Sequence, residues 1–126
     1  MNTHNPTIKE FEGKYYLYYM GDTYKHEPPL KDTDITNEQV HAAWHAKRIG
    51  LAVSDKIDGE YVTRDTTLLE PSPFPAWDSA ITTNPSLVIK PDGESFMVYK
   101  SRKYSPNMND TSHLQIGIAH APHPAG

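Results

Sequence analysis

Apolar and aromatic residues alternate with polar ones in short runs along this chain, and the runs are broken by glycine, proline or Asp-Gly. That period of two predicts strands. Residues 7–12 and 14–22 flank Gly13, and residues 87–91 and 94–102 flank Asp92-Gly93, so each pair predicts a hairpin around a turn that tolerates left-handed backbone. A third strand is predicted at Ile49-Gly50-Leu51-Ala52 and again at Ile116-Gly117-Ile118-Ala119. A fourth is predicted over 61–69, ahead of the connector Glu70-Pro71-Ser72-Pro73-Phe74-Pro75. Helical pattern occurs at one place: Thr36-Asn37-Glu38-Gln39 has the form of a capping box, and residues 40–46 supply about two turns after it.

The two sets of strands are copies of one another. Asn5-Pro6-Thr7-Ile8 lies over Asn84-Pro85-Ser86-Leu87, Gly13 over Gly93 and Tyr19 over Tyr99. Ile49-Gly50-Leu51-Ala52 lies over Ile116-Gly117-Ile118-Ala119, and Gly59 over Gly126. The second copy is the shorter one between its hairpin and third strand, where the first carries the predicted helix. Four antiparallel strands make a propeller blade. The expectation is therefore an all-β chain of two antiparallel propeller-type blades, the second lacking its outer strand, with a short helical insertion in the first. Blade 1 is expected at residues 3–70, the connector at 71–77 and incomplete blade 2 at 78–126. Two blades cannot close a ring, and the open edge at 114–121 is apolar at Leu114, Ile116 and Ile118. Such an edge predicts a homo-oligomer or the missing blades of a longer chain.

Composition narrows the partners. The 126 residues carry a net charge of −4, which leaves no basic field for nucleic acid or an anionic membrane. Cysteine is absent, so disulfides, thiolate zinc sites and cysteine nucleophiles are excluded. No run approaches the ~18 apolar residues of a membrane helix. Met1-Asn2-Thr3-His4-Asn5-Pro6 has neither the basic nor the apolar region of an export signal, so localisation stays open. Glycine-rich phosphate loops, serine elbows and dinucleotide fingerprints do not occur, and no cofactor is expected.

Three stretches, His4-Asn5-Pro6-Thr7-Ile8, Gly13-Lys14-Tyr15-Tyr16-Leu17-Tyr18-Tyr19 and Arg48-Ile49-Gly50-Leu51-Ala52, together resemble the five-bladed β-propeller glycosidases related to glycoside hydrolase family 43. Trp77-Asp78, Thr83-Asn84-Pro85-Ser86 and Tyr99-Lys100-Ser101 resemble the next blade of the same group. The resemblance covers nearly the whole chain and implies a complete protein two to three times longer. It also implies an axial funnel holding three acidic residues, two of them on innermost strands and often in Asp-Pro. The matching positions here are Asn5 and Asn84. An amide cannot exchange a proton near neutral pH, although it can bond sugar hydroxyls. Hydrolysis needs two carboxyls about the scissile bond, so the chain alone is expected to be inactive.

Candidate sugar contacts follow from that placement, with an oligosaccharide or glycoside as the expected ligand. His4, Asn5, Thr83 and Asn84 start the innermost strands; the competing reading is a strand-entry turn held by Asn side chains. Asp78 is the best-placed carboxylate for catalysis, although Trp77-Asp78 is equally an ordinary packing device. Arg48 and Lys100 could hold an acidic sugar or form structural ion pairs. Tyr24, His26 and Trp44 in the insertion could wall a sugar subsite. His41 and His45 share a helical face, but the position after His41 is Ala42 and no third ligand is evident, so no metal is expected. Asn109-Asp110-Thr111 fits a glycosylation acceptor. The tyrosine run 15–19 is read as core.

Overall fold

The computed structural model describes residues 4–23, 35–107, 110 and 113–126. The predicted Tyr24 and His26 and most of the glycosylation triplet lie outside them. Two antiparallel sheets form. Sheet 1 has the order β1 (His4–Phe11), β2 (Lys14–Asp22), β3 (Lys47–Ser54), β4 (Val62–Thr63), with α1 (Asn37–His45) inserted between β2 and β3. Sheet 2 has the order β5 (Thr83–Ile89), β6 (Ser95–Ser101), β7 (Gln115–Ala121). The fold is all-β apart from α1, and among the described residues the two propeller-type blades have four strands and three.

Both hairpins form where the glycines allow. Glu12 and Gly13 have φ of 49° and 74°, the two left-handed residues that join β1 to β2 without splaying them. At the second hairpin Gly93 N donates to Lys90 O (2.9 Å) and Lys90 N to Glu94 O (2.8 Å), with Gly93 at φ 90°. This is a turn followed by a left-handed glycine, which fits a longer loop. The inner strands begin earlier than the alternation alone indicates, at His4 and Thr83. Each opens with a bulge, between His4 and Thr7 and between Thr83 and Ser86. Asn5 (φ 53°) and Asn84 (φ 54°) hold the left-handed conformation within these bulges, which asparagine tolerates better than most residues.

The aligned residues coincide in register as well as in sequence. Tyr19 pairs with Gly50 and Tyr99 with Gly117. In both sheets the tyrosine ring lies over the glycine, so that a Cβ on Gly50 or Gly117 would come within 2.5 Å or 2.6 Å of it. Gly59 N donates to Lys56 O (3.1 Å) and Gly126 N to His123 O (2.9 Å), closing equivalent turns.

The core lies between the sheets. Tyr16, Tyr18, Ile49 and Leu51 of sheet 1 pack on Leu87, Met97 and Tyr99 of sheet 2. The alternation divides the tyrosine run as expected, with Tyr16 and Tyr18 buried, but Tyr15 and Tyr19 face outward and are only half-buried. The C-terminal residues return to sheet 1: the Tyr18 hydroxyl donates to Pro124 O (2.7 Å), and Phe11 and Tyr16 meet the His123 ring edge-on. Burial raises the Tyr18 pKa.

The predicted fourth strand is cut short. Val62–Thr63 pairs with β3, and Arg64 N reaches Leu51 O (2.8 Å), but the next bond to β3 is from Leu68 N to Ile49 O (2.8 Å). Four residues thus cover a step that takes two on β3, and the surplus bows outward around the Arg64 Nε to Thr66 Oγ1 bond (2.9 Å). Leu68 and Leu69 then return to the core, where Leu69 bridges Ile49.

Candidate functional site

The starts of the two inner strands come together at one end of the molecule. His4 pairs with Met20, and the Thr83 hydroxyl lies against the Met20 sulfur while donating to Asn84 Oδ1 (2.8 Å). Thr83 is buried between the sheets, Asn84 is half-buried and Asn5 is exposed. His4 borders a groove on the outward face of sheet 1 with Pro6, Leu17, Tyr19 and Tyr61. The same end carries α1 and the segments that follow the connector and β6.

Arg48 and Thr82 fasten these segments to sheet 1. Arg48 Nη1 donates to Lys47 O (2.8 Å), His45 O (3.0 Å) and Ala80 O (3.3 Å), and Nε meets Glu70 Oε2 (3.2 Å). Thr82 N donates to Lys47 O (3.2 Å), and its hydroxyl to Leu69 O (2.7 Å). Arg48 therefore bridges α1, β3 and the entry to β5, with most of its donors in use.

Asp78 is buried, and its Oδ2 accepts from the Tyr99 hydroxyl at 3.0 Å. Trp77 stacks on the Tyr99 ring (centroids 6.0 Å apart). Burial, reinforced by the hydrogen bond to Asp78, pushes the Tyr99 pKa up to about 12. In this arrangement the carboxylate anchors the loop before β5 to sheet 2.

The helix forms as its cap requires. Gln39 N donates to Thr36 Oγ1 (3.2 Å) and Thr36 N to Gln39 Oε1 (2.8 Å). Its last turn meets a group the sequence reasoning missed. Arg102, just after β6, places its guanidinium 4.1 Å from the Trp44 ring centre, and Lys47 Nζ lies 5.1 Å from that centre. Arg102 Nη2 is 3.4 Å from His45 Nε2, while His45 Nδ1 is 2.9 Å from His41 O. One arrangement satisfies both contacts: a neutral imidazole donating from Nδ1 and accepting from arginine at Nε2. Burial lowers the His45 pKa; the bond to His41 O opposes this, and the charges of His41, Arg102 and Arg48 add to the lowering. The His41 and His45 rings sit 4.1 Å apart, and the Tyr104 ring is edge-on to His45 at 5.1 Å. Among the described residues, His41 Nε2 and Arg102 Nε are buried nitrogens without a hydrogen-bond partner. The only sequence signal for Arg102 is its place in the repeat, over Asp22 at the end of the second strand.

The structure thus brings His4, Asn5, Thr83 and Asn84 to one edge, with Arg48 and Trp44 in the neighbouring α1 cluster. Asp78 is tied to Tyr99. Lys100 stands apart from both groups, half-buried on the outward face of sheet 2 in the row of Ile116.

No protein-family model matches the chain, and no curated protein matches it by sequence. Solved structures do match. Over 98% of its length the chain superposes on a family 117 glycoside hydrolase from the marine bacterium Zobellia galactanivorans, with a TM-score of 0.71 and 19% identity. Over 95% it matches a xylan β-1,4-xylosidase from Bacillus halodurans (TM-score 0.63, 18% identity), and over 98% a glycosyl hydrolase from Bacteroides ovatus (0.62, 14%). The chain spans 36%, 20% and 29% of those three proteins. Its fold is therefore that of part of a glycoside-hydrolase-like propeller.

Proposed function

We propose that this chain forms two adjacent blades of a glycoside-hydrolase-like propeller and contributes carbohydrate contacts from the end where His4-Asn5 and Thr83-Asn84 meet. The observation that carries this reading is the pair of Asn-Pro bulges. Each bulge turns an asparagine into the left-handed conformation at the start of an inner strand, which presents an amide able to donate to and accept from sugar hydroxyls. The unpartnered His41 Nε2 and Arg102 Nε at the same end support it, since buried polar nitrogens that lack protein partners suit a polar ligand. Lys100, Arg48 and Trp44 belong to the proposed contact set, with Tyr24 as a further candidate.

Hydrolysis would require carboxyls supplied by further blades or subunits. Asn5 and Asn84 cannot serve as acid or base, and Asp78 is committed to Tyr99. Those same amides favour a second reading, a carbohydrate-binding or structural propeller module assembled by homo-oligomerisation, which needs no acid–base pair.

The test uses glycine rather than alanine, because Asn84 has φ 54° and alanine is strained there. Asn84→Gly is expected to keep the fold and weaken an oligosaccharide found by titration of a glycan panel, while the chain alone releases no sugar from it. Equal affinity in the wild type and Asn84→Gly would refute the assignment. Release of reducing sugar by the isolated chain would refute the need for added carboxyls.

A further inference from the structure

The contact between the two sheets is not symmetric. The face of sheet 1 that is buried against sheet 2 runs in cross-strand rows: Lys9, Tyr16 and Val53; Thr7, Tyr18 and Leu51; Met20 and Ile49. The repeat carries each of these rows onto sheet 2, as Val88, Phe96 and His120; Ser86, Val98 and Ile118; Lys100 and Ile116. That second set lies on the face turned away from sheet 1. Ile49 and Leu51 are buried at 0% and 1% exposure, whereas their counterparts Ile116 and Ile118 are 63% and 71% exposed. Phe96 and Val98, the counterparts of the buried Tyr16 and Tyr18, are also open to solvent.

The complementary face is present as well. Sheet 2 meets sheet 1 through the row Leu87, Met97 and Ala119 and through Tyr99 over Gly117. Its counterpart in sheet 1 is the row Ile8, Leu17 and Ala52 with Tyr19 over Gly50. That face points outward, and the groove along it is lined by Pro6, Leu17, Tyr19 and Ala52. One molecule therefore carries both halves of the contact it already makes internally.

We propose that the outward face of sheet 2 seats the outward face of sheet 1 of a second copy of this chain, head to tail, repeating the internal contact. The proposal extends the functional reading above, whose hydrolytic half needs further blades, but it is tested by mass and not by sugar binding. The docking unit is the sheet face, not the open β7 edge. Register adds a consequence at the site. Met20 lies beside Thr83 within the chain; the repeat places Lys100 at the Met20 position and His4 at the Thr83 position. Docking thus sets Lys100 of one copy beside His4-Asn5 of the next, adding a cation to the strand-start edge. A head-to-tail contact of this kind closes into a ring or grows.

Two lysine substitutions separate this from other modes of association. Ile118→Lys blocks the sheet 2 face and Ile8→Lys the sheet 1 face, both at exposed positions. Near-UV circular dichroism verifies folding, and Val88→Lys replaces Ile118→Lys if that variant does not fold. In size-exclusion chromatography with light scattering, the wild type is expected to be oligomeric at micromolar to millimolar concentration. Each variant alone is expected to be monomeric, and their equimolar mixture to run as a dimer, since each retains one good face. A monomeric wild type overturns the proposal. So does a mixture that stays monomeric, or oligomerisation that survives Ile8→Lys or Ile118→Lys, survival in Ile8→Lys being the outcome expected of edge-to-edge pairing through β7.

Discussion

Gly50 and Gly117 occupy the same place in the repeat, but not the same surroundings. Each lies beneath a tyrosine ring that a Cβ would strike. Tyr19 is half-exposed and can swing outward, whereas Tyr99 is buried, stacked on Trp77 and bonded to Asp78. Gly117→Ala is therefore expected to destabilise by about 1–3 kcal/mol, the usual cost of overpacking, and Gly50→Ala by clearly less. Urea denaturation of the two variants checks this, and equal losses would show that Tyr99 is as free to move as Tyr19. The bulge asparagines obey a similar local rule. Asn84→Ala is expected to cost about 1–2 kcal/mol from left-handed strain, while Asn84→Gly melts near the wild type. If both variants melt alike, the left-handed conformation at Asn84 is not what holds the bulge.

At the scale of elements, α1 is fixed at its start by local sequence and at its end by tertiary contacts. The capping box is written in Thr36 and Gln39, which is why this helix was legible beforehand. Its docking was not, because it depends on His45 accepting from Arg102, a residue 57 positions away. That contact has a pH sense. Burial lowers the folded-state His45 pKa below its ordinary value of 6.5, so the unfolded chain binds the extra proton first. The stabilisation is present above about pH 6.5 and is lost as pH falls through the folded-state value. Protonation removes the Nε2 acceptor and sets a cation against Arg102, with Arg48 and His41 also nearby. Thermal melts between pH 7.5 and pH 5 are expected to show a fall that His45→Gln reduces; an equal fall in that variant would place the sensitivity elsewhere. Hairpins and third strands were legible for the same local reason as the cap, since Gly13, Gly93, Gly50 and Gly117 each meet a steric demand visible in the repeat. The predicted outer strand is longer than the observed one because the tyrosine, β-branched and leucine residues over 61–69 do not reveal that two surplus residues leave the ladder between Arg64 and Leu68. Asp78 was legible as a carboxylate near the inner strand, but its bond to Tyr99 follows from packing that sequence spacing does not encode.

Across the whole molecule, the repeat that shaped the sequence also shapes its surfaces. Pseudo-equivalent faces meet once inside the chain and are left open at both ends, and the sheet-entry asparagines of both copies collect at one end. A likeness in fold to glycoside hydrolases at 14–19% identity accounts for the arrangement of blades. The chemistry attributed to that end rests on the residues themselves. The most direct test is a residue-resolved NMR titration with a panel of neutral and acidic oligosaccharides, following backbone amides. The account predicts shifts concentrated at His4, Asn5 and residues 83–84, extending to Trp44 and Arg102. Shifts confined to the opposite end, around Phe11, Gly93 and His123, or no shift with any member of the panel, would contradict it.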